Sequence, residues 1–243
     1  MTRSIGTGIS HWVFTAIALL ILGCAPSAFA DGATASMTLT SAGSNPFDGI
    51  YMGPYTASIN GASTPVICDD FSDDSFINES WTANTTGLSD LTGTKFVSQV
   101  NSTQGYGEVA ALTLALLNPA NASQADQIQY AIWAVFGGPA VQTYLQGTLS
   151  AANYTNFYTN GVLNWLSWGA GQTLTADQLA AFTIYTPNTD YAITCSGHAC
   201  QNTPPQEFIA LTPTPESGTA ALFGIGLLAL GFFMRRRNAL ATK

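Results

Sequence analysis

The sequence predicts an α+β fold, a mainly antiparallel β region with a helical block inserted into it. Three observations carry this. Short segments rich in Thr, Tyr, Ile and Val, separated by turn residues, follow one another from residue 34 to residue 87. After Gly107 the apolar pattern changes to that of buried helices. Strand-like runs return near residues 182 and 206.

Taken in order, strands are expected at 34–41 (TASMTLTS), 49–59 (GIYMGPYTASI), 64–71 (TPVICDDF) and 79–87 (ESWTANTTG), with Asn60-Gly61 as a turn between two of them. The run EVAALTLALL, 108–117, is apolar all round and reads as a buried helix ended by Asn118-Pro119, because the residue before a proline is pushed out of the α region. A second helix should start at Ser123, with Asp126 completing a capping box, and stop at Gly137-Gly138-Pro139. A third covers part of 151–167, and strands return as FTIYT, 182–186, and QEFIAL, 206–211.

The two ends read differently. Residues 1–30 combine Arg3, the apolar run WVFTAIALLILG and the small-x-small pattern Ala28-Phe29-Ala30, the form of a signal peptide cleaved before Asp31. ILGC offers a second reading, a lipoprotein signal in which Cys24 is acylated, although Leu22 is large for that pattern. At the other end a Pro-rich spacer leads into an apolar run, 218–234, followed by Arg235, Arg236 and Arg237. As a helix this run is about 25 Å long, near the lower limit for a membrane span, with the arginines held on the cytoplasmic side.

The order Pro215-Glu216-Ser217, short apolar span and terminal arginine cluster resembles the PEP-CTERM sorting signal of Gram-negative bacteria, with Ser217 where that family has a second proline. The resemblance implies an exosortase as processing partner, transit through the membrane on the C-terminal helix, and delivery to the cell surface or extracellular matrix. The expected organisation is a signal peptide at 1–30, a secreted domain at 31–211 and a sorting signal at 212–243.

All fourteen acidic residues lie between Asp31 and Glu216, against one base, Lys95. So acidic a domain argues against nucleic acid and anionic membrane surfaces as partners.

Within it, Cys68 in VICDDF stands alone, since Cys195 and Cys200 bracket SGHA and can pair across that short loop. Zinc ligation by Cys195, His198 and Cys200 is the alternative, disfavoured by crowding and the lack of a clear fourth ligand. On the second helix Ala125, Ile128, Ile132, Val135 and Phe136 form an apolar stripe with Gln129 at its edge, while Gln127 points away and Gln124 lies beyond the opposite edge. An interior amide without a partner costs about 1–3 kcal/mol. Gln129 therefore either bonds backbone at a helix–sheet junction or has a more specific partner.

A Cys on a strand followed by a helical Q-x-A-I-W resembles the thioester domains of Gram-positive surface adhesins, here Cys68 and Gln129 with Trp133 ending the motif; Ile67 stands where that family more often has an aromatic. The resemblance implies an internal thioester formed with loss of ammonia, which later traps an amine on a target surface. The alternative for Cys68 is a small buried hydrophobe.

Asp69, Asp70, Asp73 and Asp74 invite a calcium reading, but their spacing is not that of an EF-hand, and a solvated acidic loop is the simpler expectation. The N-x-S/T sites at Asn78 and Asn121 are what an Asn- and Thr-rich composition produces. No nucleophile elbow, H-E-x-x-H or phosphate loop is present. Two carboxylates suffice for a glycosidase, so a secreted hydrolase remains an alternative. The expectation is an exported adhesive or matrix protein, not an enzyme, with no cofactor or metal. Its partners would be an amine-bearing surface or extracellular polysaccharide.

Overall fold

The computed structural model describes residues 33–43, 46–99, 101–188, 194–195 (backbone) and 204–212. The β region is larger and more closed than a simple antiparallel sheet. Its strands are β1 (Thr34–Ser41), the short pair β2 (Pro46–Phe47) and β3 (Ile50–Tyr51), β4 (Tyr55–Ile59), β5 (Ala62–Cys68), β6 (Glu79–Gly87), β7 (Phe182–Pro187), β8 (Thr194–Cys195) and β9 (Phe208–Leu211). Six of them follow the order β1-β4-β5-β9-β7-β6, and β6 pairs back onto β1 to close an antiparallel barrel. Closure leaves these strands no unpaired edge. β8 attaches beyond this ring, pairing Cys195 with Glu79.

Alternation sets the faces. Ala35, Met37 and Leu39 of β1, Tyr55, Ala57 and Ile59 of β4, and Trp81 and Ala83 of β6 point inward, with Thr and Ser between them. The β4–β5 hairpin turns at Asn60 and Gly61, both at positive φ (50° and 86°), as a two-residue turn matched to strand twist requires. The expected strand 49–59 is two strands, β3 and β4, and the expected strand 64–71 stops at Cys68.

The helical block sits between β6 and β7 in the chain. It comprises α1 (Ser102–Leu117), a 3-10 segment (Pro119–Gln124), α2 (Ala125–Thr148), α3 (Ala151–Tyr154), a π segment (Thr155–Val162), α4 (Leu163–Ala170) and α5 (Ala176–Ala180). α1 ends at Asn118, extended at ψ 117° ahead of Pro119, as the sequence predicts, but it starts six residues before Glu108. The expected capping box at Ser123 does not form: Ser123 lies inside the 3-10 segment and Gln124 precedes α2 without a side-chain cap. A complete box stands instead at Thr175 and Gln178, opening α5.

Gly137-Gly138-Pro139 is a kink, with Gly137 at φ −108° and ψ 23°, and the helix resumes to Thr148. The predicted stripe is also too narrow. Every residue from Ile128 to Ala134 is buried, because this part of α2 lies between the barrel and the other helices, with α1, α4 and the π segment packed on it. Barrel and helices share one hydrophobic core.

Among the described residues no helix is long and apolar enough to cross a membrane. The signal peptide with Ala28 and Ala30, Cys24, His198, Cys200, and the sorting signal with Pro215, Glu216, Ser217 and Arg235 to Arg237 lie outside the described residues. The Cys195–Cys200 pairing lies outside them too, since only the backbone of Cys195 is described.

Candidate functional site

Cys68 is the last residue of β5, paired with Phe208 of β9. Val66 and Ile67 precede it, so the strand enters the core and delivers the thiol there with no solvent exposure. The chain then turns sharply: Cys68 Sγ donates to the backbone oxygen of Asp70 at 3.1 Å, and the Asp70 N–H donates back to Sγ at 3.4 Å. Burial first, and then the Asp70 carboxylate, push the thiol's pKa well up. At neutral pH the group is a thiol.

Gln129, in the first turns of α2, has no solvent exposure. Its Nε2 donates to the backbone oxygen of Cys68 at 2.8 Å. This is the backbone bond at a helix–sheet junction expected of an interior glutamine, and its acceptor is the main-chain carbonyl of Cys68, not the thiol. Its Oε1 has no hydrogen-bond partner. That oxygen faces Gly53, in the connection between β3 and β4, where a Cβ would stand only 2.5 Å from it.

An aromatic shell covers the pair. Trp133, one turn beyond Gln129, is buried and its ring lies 5.1 Å from Tyr130 and 5.3 Å from Phe71. Phe71 is half-buried and also packs edge-on against Tyr144 at 5.7 Å. The indole nitrogen of Trp133, like Gln129 Oε1, makes no hydrogen bond.

The residues after Cys68 correct the expectation of a solvated acidic loop. Asp69 and Asp70 are fully buried, Asp73 is half-buried, and only Asp74 is exposed. Lys95, the one base of the domain, explains Asp70: its Nζ bridges Asp70, Asp73 (2.5 Å) and Ser72 Oγ (3.0 Å). Asp69 has no such partner, and neither of its carboxyl oxygens is hydrogen-bonded. Burial, followed by the nearby Glu207 and Asp70, pushes its pKa well above the ordinary carboxylate value, so it keeps its proton to higher pH than an exposed carboxyl does.

Glu207, just before β9, was not singled out in the sequence. It is buried and accepts from Tyr106 Oη (2.5 Å), from the Lys95 N–H (2.8 Å) and from Thr186 Oγ1. Burial still raises its pKa. Among the described residues no group of three His, Cys, Asp or Glu side chains is arranged to hold a metal ion.

The structure therefore brings Cys68, Gln129 and Trp133 together and adds Gly53, Asp69 and Phe71 around them. No protein-family model, curated protein or solved structure matches the chain.

Proposed function

We propose that this is an exported bacterial surface or matrix protein, sorted through its PEP-CTERM-like C-terminus, that adheres by an internal thioester between Cys68 and Gln129. The contact between the Gln129 amide and the Cys68 backbone carries the reading, because it brings the glutamine side chain to the cysteine residue itself, with both fully buried.

The chemistry balances without a cofactor. Cys68 Sγ attacks Cδ of Gln129, the Sγ–Cδ bond forms and the Cδ–Nε2 bond breaks. The thiol proton leaves with the amide nitrogen as ammonia. The product is an activated acyl group that persists in water only where hydroxide is kept out, which full burial under Phe71, Tyr130 and Trp133 supplies. When an amine of a target attacks Cδ, an amide forms and Cys68 recovers its thiol proton. Gln129 Oε1, buried and unpartnered, supports the same reading, since a core retaining an unsatisfied polar atom of this kind sacrifices about 1–3 kcal/mol.

A passive matrix role is the second reading, and one observation favours it. The thiol is fully buried, protonated and bonded to Asp70, the environment of an inert core cysteine.

Intact mass of the full chain in detergent, before and after methylamine, separates the two. The thioester reading expects a mass short by one ammonia, which methylamine raises by its own full mass to end one methylene above the encoded value, with neither change in Cys68→Ala. An unmodified mass with Cys68 titrating as a thiol after unfolding overturns it and leaves the passive role.

A further inference from the structure

On the far side of α2 from Gln129 lies a second feature, in which Cys68 takes no part. A groove of about 250 Å³ runs between the start of α2 and the π segment with α4. One wall carries Asn160, Asn164 and Trp168, spaced four residues apart and so stacked on one face, with Trp165 beside them. The other carries Gln124 and Gln127.

Its chemistry is narrow. Four primary amides and two indoles line it, and no charged side chain does. The indole rings of Trp165 and Trp168 meet at 75° with centroids 5.4 Å apart, which makes an aromatic corner. Trp168 is 40% exposed, unusual for the largest apolar side chain unless something stacks on it. Trp165 Nε1 donates to Gln124 Oε1 at 3.2 Å, which fixes both side chains and leaves the amide protons of Gln124 available. Asn164 Nδ2 is likewise held by the backbone oxygen of Asn160 at 2.6 Å.

The backbone is adapted to the groove. The π segment Thr155–Val162 is a rare conformation that is frequent at functional sites. Within it Gly161 lets Gln127 lie against the helix, where a Cβ would meet Gln127 Cδ at 2.5 Å.

We infer that this groove binds a neutral glycan chain. The C–H faces of a pyranose stack on indole, and its vicinal hydroxyls, each both donor and acceptor, match primary amides, which are the same. A carboxylated or sulfated sugar would find no cation here and an acidic domain around it.

The test is retardation of the full chain in native gels, in detergent, containing dextran, galactomannan, mixed-linkage β-glucan or alginate. At least one of the three neutral polymers retards the wild type and Cys68→Ala equally, which separates this site from the thioester. Trp168→Ala weakens that retardation by about tenfold or more, as removal of a stacking anchor does, without changing the melting temperature. Asn164→Ala, at an exposed position, weakens it independently. Retardation by none of the neutral polymers, or retardation unchanged in both variants, overturns the assignment. So does a wild type that self-associates through this face and becomes monomeric in Trp168→Ala without any response to glycan.

Discussion

Gly53→Ala is the smallest change that reaches the reacting atoms. The added methyl group would lie 2.5 Å from Gln129 Oε1, 3.4 Å from Tyr55 Cε2 and 3.5 Å from Ile67 Cδ1. Two of these are ordinary contacts; only the amide oxygen is in the way. To reach van der Waals separation it must retreat by roughly 1 Å. A free glutamine would swing aside at little cost. Gln129 is fully buried and its nitrogen is held by the Cys68 carbonyl, so the whole amide has to move.

Overpacking of this kind costs about 1–3 kcal/mol, and loss of the hydrogen bond adds about 1. A displacement of about 1 Å at a reacting centre can also slow chemistry by two orders of magnitude. In a Cys68→Ala background, where no link forms and the amide keeps its nitrogen, urea unfolding should therefore show Gly53→Ala destabilised by roughly 2–4 kcal/mol, and with Cys68 present its intact mass should lack the ammonia deficit. Gln129→Ala removes the obstructing oxygen, so Gly53→Ala in that background should cost at least about 1 kcal/mol less, a coupling that general damage to the barrel would not produce. Unchanged stability in the Cys68→Ala background together with a full deficit in Gly53→Ala would refute the geometry.

Three further outcomes follow from the surroundings of the pair. Asp69 keeps its proton to higher pH in the native state than when unfolded, so the native state binds the extra proton and stability falls as pH rises from 3.8, the ordinary value, through the raised one. Asn cannot titrate: Asp69→Asn should match the wild type in acid and exceed its melting temperature in mild base, and equal slopes for the two proteins would contradict this. Phe71→Ala opens the aromatic cover over Trp133 and Tyr130, and should speed methylamine uptake measured by mass against time; an unchanged rate would place the amine's route elsewhere. Lys95→Met leaves the buried Asp70 without its cation and should cost on the order of 2 kcal/mol in urea, below the fully buried range because Lys95 keeps 27% exposure; a change within about 0.5 kcal/mol would make the bridge ornamental.

The site was legible where its signal was local. A cysteine in an apolar strand and a glutamine at the edge of a helical stripe are readable from spacing alone, and both are buried where that reading puts them. Asp69 and Asp70 misled because charge normally marks solvent. Lys95, 25 residues away along the chain, compensates the burial of Asp70, while Asp69 is buried without a partner beside Glu207, which the β5–β9 register brings alongside. Closure of the barrel depends on β1 meeting β6, which no periodicity encodes. Gly105 falls inside α1, under the ring of Phe136, and a glycine needed for close approach looks the same in sequence as one that ends a helix. The π segment shifts the phase of everything after residue 155, so the ridge of Asn160, Asn164 and Trp168 cannot be assigned a direction from a 3.6-residue period.

A bond between Cys68 and Gln129 would also change the folding equilibrium, which yields a prediction independent of any partner. The two residues are 61 apart in sequence. By the chain-entropy account, a covalent link closing a loop of that length removes freedom from the unfolded chain equivalent to about 4 kcal/mol, provided the native geometry is unstrained. The native contact already brings the amide to the cysteine's backbone. Opening the thioester with methylamine should return that entropy and lower the melting temperature by roughly 10 °C for a domain of this size. The methylated amide must also fit into the space beside Gly53, which adds to the loss and does not offset it. Cys68→Ala, never linked, should melt near the opened protein and be indifferent to methylamine. If the mass shows complete opening while the melting temperature stays where it was, the link does not constrain the unfolded chain, and the stability of the barrel rests on its core alone.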